Sequence, residues 1–432
     1  ARAAARDCKP LPADPLQWKV LGIESSCDDT GAAVVGGDGT ILGEALASQA
    51  GIHEQWGGVV PRLAQESHRK AIDETVELAL SRAGVPLSEL SAVAVTVGPG
   101  LGLCLEVGVR KALQIAAAHR LPLVRVHHME AHMLVTRLPA APKAGEAPKA
   151  PPEFPFMTLL VSGGHNMAVL SQGIGKHTIL GSTIDDSIGE AFDKTARTLG
   201  ITQVPGGPHL ERLAKEGDPD VHFLPMPLSK TRDPALQKGC DYSFSGLKTA
   251  VRTLCEKELS ESKLAGMADE AERQKARADV AAAFQSTAVA HLCERAERAA
   301  QWVLEQEPTV STMVVAGGVA ANQAVRAGLT DIARSCGMEM QCPPPRLCVD
   351  NGVMVAWTGV ERLRLGLYDE PPTQDGVERS VEIRPRWPLG GRDPRSKPGK
   401  ATKGGGLPNG GQKRAAAGDE AARKKTKTDA TC

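Results

Sequence analysis

The chain has 432 residues, 41% hydrophobic and 24% charged, enough for two domains with substantial cores. No apolar run approaches the ~20 residues of a membrane helix, and aromatics at 3% argue against a base-stacking platform. The formal charge is zero, yet Gly391–Cys432 holds 11 Lys/Arg against 4 Asp/Glu, so only this tail attracts phosphate.

The first 19 residues are rich in Ala and Arg and read as an unfolded segment, a remnant of an organellar transit peptide, with Asp7 and Asp14 speaking against that. VLGIESSCDDTGAAVV reads strand, polar turn, strand. A helix is predicted from His68 to Ala83, with Ile72, Val76, Ala79 and Leu80 on one face and Gly84 and Pro86 ending it. SAVAVTVGPG is a buried strand running into a turn, VGVRKALQIAAAHR a helix, and LPLVRV a strand leading into HHMEAH. There His128 and His132 stand four residues apart, so a helix brings both imidazoles to one face, where they can share a metal ion. Two histidines that merely share a face are the plainer alternative. Glu130 lies two residues from each histidine and points about 200° away from them, which excludes a HExxH-type protease. The candidate third ligand is Asp350 in CVDNGVMVAW, unless Asp350-Asn351-Gly352 is only a tight turn.

Pro139–Pro155 is a Pro/Ala/Lys-rich connector. Beyond it, FMTLLVSGGHNMAVL repeats strand, glycine-rich turn, strand, with Leu159 following Leu21 by 138 residues. Two α/β halves that each open on a hairpin predict the actin-like ATPase architecture: two duplicated RNase H-like domains around a nucleotide cleft. The predicted boundaries are 1–19, 20–138, 139–155, 156–390 and 391–432, the last a disordered basic tail.

In the second half, Leu160, Val161, Ser162, Gly163 and Gly164 form either a phosphate cradle or a simple hairpin turn. Asp193 sits on the amphipathic helix SIGEAFDKTARTLG, as a cleft carboxylate or a solvated one. Gly207 and Glu211 follow a Pro-Gly-Gly-Pro turn at a helix start, which offers them to a ribose or only stiffens the turn. Asn322, after Gly317-Gly318, is a ligand contact or a helix N-cap. Ten scattered cysteines, including the trio Cys336, Cys342 and Cys348, lack zinc-knuckle spacing and read as reduced thiols.

Taken together, LGIESSCDDTG, GGVVPRLAQESH, VGPGLGLCLEVG, HHMEAH, FPFMTLLVSGGH, TIDDSIGEAFDKTA, PGGP, CDYSFSGLKT, AGGVAAN, VDNGVMVAW and RPRWPL closely resemble the tRNA adenosine threonylcarbamoyltransferase family, from about Val20 to Leu389. HHMEAH matches the bacterial and organellar branch. The resemblance implies transfer of a threonylcarbamoyl group from threonylcarbamoyl-adenylate to the N6 amine of the tRNA adenosine 3′ of the anticodon (position 37), in tRNAs reading codons that begin with adenine, with release of AMP. It implies one divalent ion, iron or zinc, on His128, His132 and Asp350. Adenylate would bind at Leu160–Gly164, Asp193, Gly207, Glu211 and Asn322, and Glu24 and Asp28 would be the essential acids at the reacting centre. Implied partners are tRNA, an upstream threonylcarbamoyl-AMP synthase and, as candidate assembly, a homodimer away from any membrane. The mitochondrial matrix is the expected compartment, ahead of plastid or cytoplasm. The competing readings are an ATPase, small-molecule kinase or carbamoyltransferase of the same fold, and a tRNA-binding scaffold that works through its tail. ESSCDD replaces the family's usual ETSCDE with the same chemical types. Cys104 and Glu106 stand where small residues are common.

Overall fold

The structure, a computed structural model, describes residues 8–53, 56, 58–139, 150–373, 377 and 382–396. Most of the connector, the Lys/Arg-rich end of the tail and the first seven residues lie outside the described residues.

Alternating apolar runs build two sheets of one design. The first comprises β1 (Lys19–Glu24), β2 (Asp29–Gly36), β3 (Ile41–Ser48), β4 (Ala92–Gly98) and β5 (Leu123–His127), in the order β3-β2-β1-β4-β5. The second comprises β6 (Phe156–Val161), β7 (Asn166–Gly173), β8 (Lys176–Ser182), β9 (Thr312–Ala316) and β10 (Glu339–Gln341), in the order β10-β9-β6-β7-β8, extended at its edge by β11 (Gly391–Arg392). In both, the opening strand pairs antiparallel with its hairpin partner and parallel with a later strand. Leu21 faces Val34 and Val93, and Leu159 faces Ala168 and Val315. The offset of 138 residues is therefore a duplication of topology, and the architecture is that of the actin-like ATPases.

One face of the first sheet packs on the helices Pro61–Ala83 and Gly102–His119. The former begins seven residues before its predicted start. Pro61 takes the first helical position, where its missing N–H costs no bond, and the polar turn that follows hides the helical period. In the second half the core lies between the sheet and the helices Ile188–Thr198, Gly207–Ala214, Ser245–Glu258, Glu270–Gln306 and Gln323–Ser335.

Three predicted boundaries are corrected. The helix Gly352–Arg364, expected in the second domain, lies on the other face of the first sheet, where Val353, Ala356 and Val360 meet Val20, Ala33 and Ala94. The chain thus returns to its first half. The reason is close packing: a Cβ on Gly22 would lie 2.2 Å from the Ala356 nitrogen, and one on Gly352 2.3 Å from the Ala32 carbonyl carbon. Gly22→Ala therefore forces backbone apart. We expect a loss of about 3 kcal/mol, read as a lower urea midpoint at unchanged slope. Second, the segment before residue 20 is structured from Cys8, with Trp18 buried and Lys9 Nζ donating to the Leu90 carbonyl at 2.7 Å. Third, Gly391 and Arg392 form a strand, so the second sheet reaches past residue 390.

The histidine helix, His128–Leu134, joins the halves. It follows β5 of the first sheet, and its Met129 and Met133 pack against Phe156, Leu160, Val169 and Val314 of the second. Each buried methionine is worth about 2 kcal/mol of burial, enough to hold the helix against both sheets.

Candidate functional site

The paired histidines and Asp350 meet. Asn351 caps the helix Gly352–Arg364, its Oδ1 accepting from Met354 N at 2.9 Å and its Nδ2 donating to the Val349 carbonyl at 2.7 Å. This cap fixes Asp350 just outside the helix, beside the histidine helix. His132 Nε2 lies 3.0 Å and His128 Nε2 3.6 Å from the same Asp350 oxygen. The two rings stand edge to face with centroids 4.7 Å apart, and ligand atoms of all three residues fall within 4.8 Å of one another. Donor atoms around an ion with bonds of about 2.1 Å would be separated by about 3.4 Å, so the set suits a divalent ion. Two neutral imidazoles and one carboxylate leave such an ion a net positive charge and open positions, a donor set fitting zinc or iron.

Electrostatics agree. Burial disfavours charge on His128, but the carboxylates of Asp350 and Glu24 outweigh it and push the imidazole up to about 9. Burial likewise opposes charge on Asp350, and the imidazoles of His128 and His132 hold its carboxyl far below the usual range all the same. Cationic charge is wanted between these groups.

Glu24, expected as a reacting acid, has a different place. It is fully buried. Its Oε1 accepts from Ser26 N at 2.7 Å, and its Oε2 accepts from Thr96 Oγ1 at 2.5 Å and lies 3.3 Å from His128 Nδ1. Its carboxylate orients the imidazole from behind, the arrangement that fixes ring and tautomer in metal sites. Asp28 lies in the turn between β1 and β2, as read from sequence.

Glu130 points away from the triad, as helical geometry requires. It accepts from His177 Nε2 at 2.9 Å, Arg362 Nη1 at 2.8 Å and Gly175 N at 2.5 Å, a buried network tying the histidine helix to β8 and the helix Gly352–Arg364.

The second hairpin turn is closed by Ser162 N donating to the His165 carbonyl at 2.8 Å and His165 N donating to Ser162 Oγ at 3.0 Å. Ser187 Oγ braces it by donating to the Gly163 carbonyl at 2.5 Å. Gly163 and Gly164 are exposed, with open space where a side chain would be. Backbone can thus approach a phosphate there. Of the other predicted residues, Asp193 Oδ1 accepts from Gly206 N at 2.8 Å and Gly207 N at 3.1 Å, so it shapes the Pro-Gly-Gly-Pro turn. Glu211 Oε1 accepts from Gln323 N at 2.9 Å. Asn322 is an N-cap, its Oδ1 accepting from Val325 N at 3.0 Å and its Nδ2 donating to Gln285 Oε1 at 3.0 Å. These three brace neighbouring elements of the second half.

Two residues escaped the sequence reading. His165 ends the second turn among the charges of His128, His132 and Asp350, and its imidazole is pushed down to about 4, first by burial. Asp29 opens β2 two residues before Gly31, on the strand face that meets Asn351 and Gly352. Its Oδ1 is buried without a partner, and burial pushes its carboxyl up to about 7. Side-chain alternation along β2 was the available signal for Asp29. Nothing local in the sequence marked His165.

Residues 40–357 match the family model described as TsaD, tRNA N6-adenosine threonylcarbamoyltransferase. A probable mitochondrial tRNA N6-adenosine threonylcarbamoyltransferase of Arabidopsis thaliana is 50% identical over 373 residues, 86% of this chain and 75% of the relative. The Rhodospirillum rubrum tRNA N6-adenosine threonylcarbamoyltransferase is 44% identical, covering 87% of this chain and 95% of the relative. The mitochondrial enzyme of Xenopus tropicalis is 41% identical over 81% of this chain and 83% of its own. By this match the chain belongs to the tRNA N6-adenosine threonylcarbamoyltransferase family.

Proposed function

We propose that this chain transfers the threonylcarbamoyl group of threonylcarbamoyl-adenylate to N6 of adenosine 37 in tRNAs reading codons that begin with adenine. The observation that carries this reading is the convergence of His128, His132 and Asp350, with His165 of the second glycine turn among their charges. His128, His132 and Asp350 hold the ion, zinc or iron. When bound, the ion supplies positive charge that orients donor oxygens and stabilises negative charge developing on the acyl oxygen. The Leu160–Gly164 turn receives the adenylate phosphate, and Asp193, Glu211 and Asn322 keep the surrounding elements in place. Glu24 holds His128 in register.

In the transfer, the N6 amine forms a bond to the carbamoyl carbon, and the bond from that carbon to the phosphate oxygen breaks. AMP leaves with the electron pair. The amine is a poor nucleophile, so holding it within reach of an already activated carbon is the main contribution of the site. The proton it loses goes to an acid of the first turn. We assign that role to Asp28, which stands in the turn between β1 and β2, next to Asp29 at the head of β2. The substrate is supplied by a threonylcarbamoyl-AMP synthase, and the mitochondrial matrix is the compartment.

Reconstitution of the full chain with purified threonylcarbamoyl-adenylate and tRNA tests this. Mass spectrometry should find one threonylcarbamoyladenosine and one AMP per event, and Asp28→Asn should lower transfer roughly a hundredfold at unchanged ion content. Unmodified tRNA beside rapid, tRNA-independent ATP turnover would favour the kinase or ATPase reading instead.

A further inference from the structure

We propose that the strap Arg384–Leu389 sets the histidine helix through His127, which makes His127 a positioning residue for the ion. The inference rests on the metal reading above. The histidine helix has seven residues and few internal hydrogen bonds, so its entry cap weighs heavily. His127 is that cap: its Nδ1 accepts from Met129 N at 3.1 Å. An imidazole accepting at Nδ1 carries its proton on Nε2, and Nε2 donates to the Trp387 carbonyl at 3.1 Å. The Trp387 ring lies against the imidazole with centroids 4.8 Å apart, and the Arg384 guanidinium lies 4.9 Å from the indole.

The strap is itself anchored at both ends. Arg384 N donates to the Val97 carbonyl at 2.7 Å, and Gly100 N donates to the Pro385 carbonyl at 3.2 Å. The approach is close, since a Cβ on Gly98 would lie 1.9 Å from the Arg384 carbonyl oxygen. At the other end Leu389 packs in the cluster of Met129 and Met133, and β11 then joins the second sheet. The strap therefore runs from one sheet to the other and touches the helix at its cap and on its apolar face. One residue after the cap stands His128. A shift of the cap moves both ligand imidazoles relative to Asp350.

The test is a Co²⁺ titration of the metal-free full chain, followed by visible absorption, with melting of the metal-free proteins measured alongside. His127→Phe keeps ring contact and loses both hydrogen bonds. It should weaken Co²⁺ binding about ten- to a hundredfold, the usual effect of losing an orienting partner. His127→Asn restores the cap alone, its Oδ1 taking the place of Nδ1 while its amide nitrogen falls short of the Trp387 carbonyl, and should recover binding in part, to about threefold below wild type. Equal affinity in wild type and His127→Phe, or no recovery with Asn, would overturn the proposal. Should His127→Phe not fold, His127→Gln carries the test: its longer amide can still donate to the Trp387 carbonyl but leaves Met129 N uncapped, so about tenfold weaker binding is expected, with unchanged affinity as the contrary result. A wild type that takes up no Co²⁺ would instead sink the metal reading itself.

Discussion

Asp350→Ala and His132→Ala should each abolish ion retention and lower threonylcarbamoyl transfer roughly a thousandfold, the scale of several kcal/mol of lost charge stabilisation. The triad is split between two segments 218 residues apart, joined by the His132 Nε2 to Asp350 contact. Removing the carboxylate leaves two imidazoles with no anion between them. Retention should also depend on pH in a definite direction. In the metal-free chain the His128 imidazole is raised to about 9, so below that value a proton occupies the site the ion needs. Ion affinity therefore rises with pH up to about 9 and falls as the medium becomes acidic. Elemental analysis of the purified variants, with equilibrium dialysis of wild type at several pH values, reads both effects. A pH-independent affinity, or an Asp350→Ala chain with a full complement of ion, would contradict the assignment.

Glu130→Ala should be strongly destabilising, at about 3 kcal/mol, because it removes the buried partner of the half-buried Arg362 guanidinium and leaves His177 Nε2 and Gly175 N without their acceptor. The double variant Glu130→Ala/Arg362→Met should recover a large part of that loss. Burial opposes charge on Glu130, but the hydrogen bond from His177 and the Arg362 charge hold its carboxyl below the ordinary 4.5. A depressed carboxyl contributes stability above its unfolded value and loses it as pH falls through the folded value. The wild type should thus lose stability in acid more steeply than the double variant, as read by urea midpoints across pH 3 to about 6. Parallel pH profiles would show that the network contributes no such term.

The same residue marks how far a sequence can be read. That Glu130 turns away from the histidines follows from helical geometry alone, but its partners, His177 and Arg362, come from a distant strand and helix that no spacing rule connects. The duplicated sheets were legible because each half opens on an apolar strand, a polar turn and a second strand. The return of Gly352–Arg364 to the first sheet was not, since that helix carries the same apolar period wherever it docks. Only the glycines opposite it, Gly22 and Gly31, disclose the close fit. In the site, the histidine pair was legible from a spacing of four. Glu24 and Asp29 were harder, because their roles depend on which way strand side chains face and on what packs behind them. Asn322 shows the opposite case: its plainer reading as an N-cap is the geometry observed.

The most direct test of metal-assisted transfer at this triad is to strip the full chain of metal, titrate back zinc or ferrous iron, and count threonylcarbamoyladenosine formed from purified donor and tRNA. Transfer should be negligible without ion, recover to saturation at one ion per chain, and fail to recover in His132→Ala. Full transfer by the metal-free chain would contradict metal-assisted transfer at this triad.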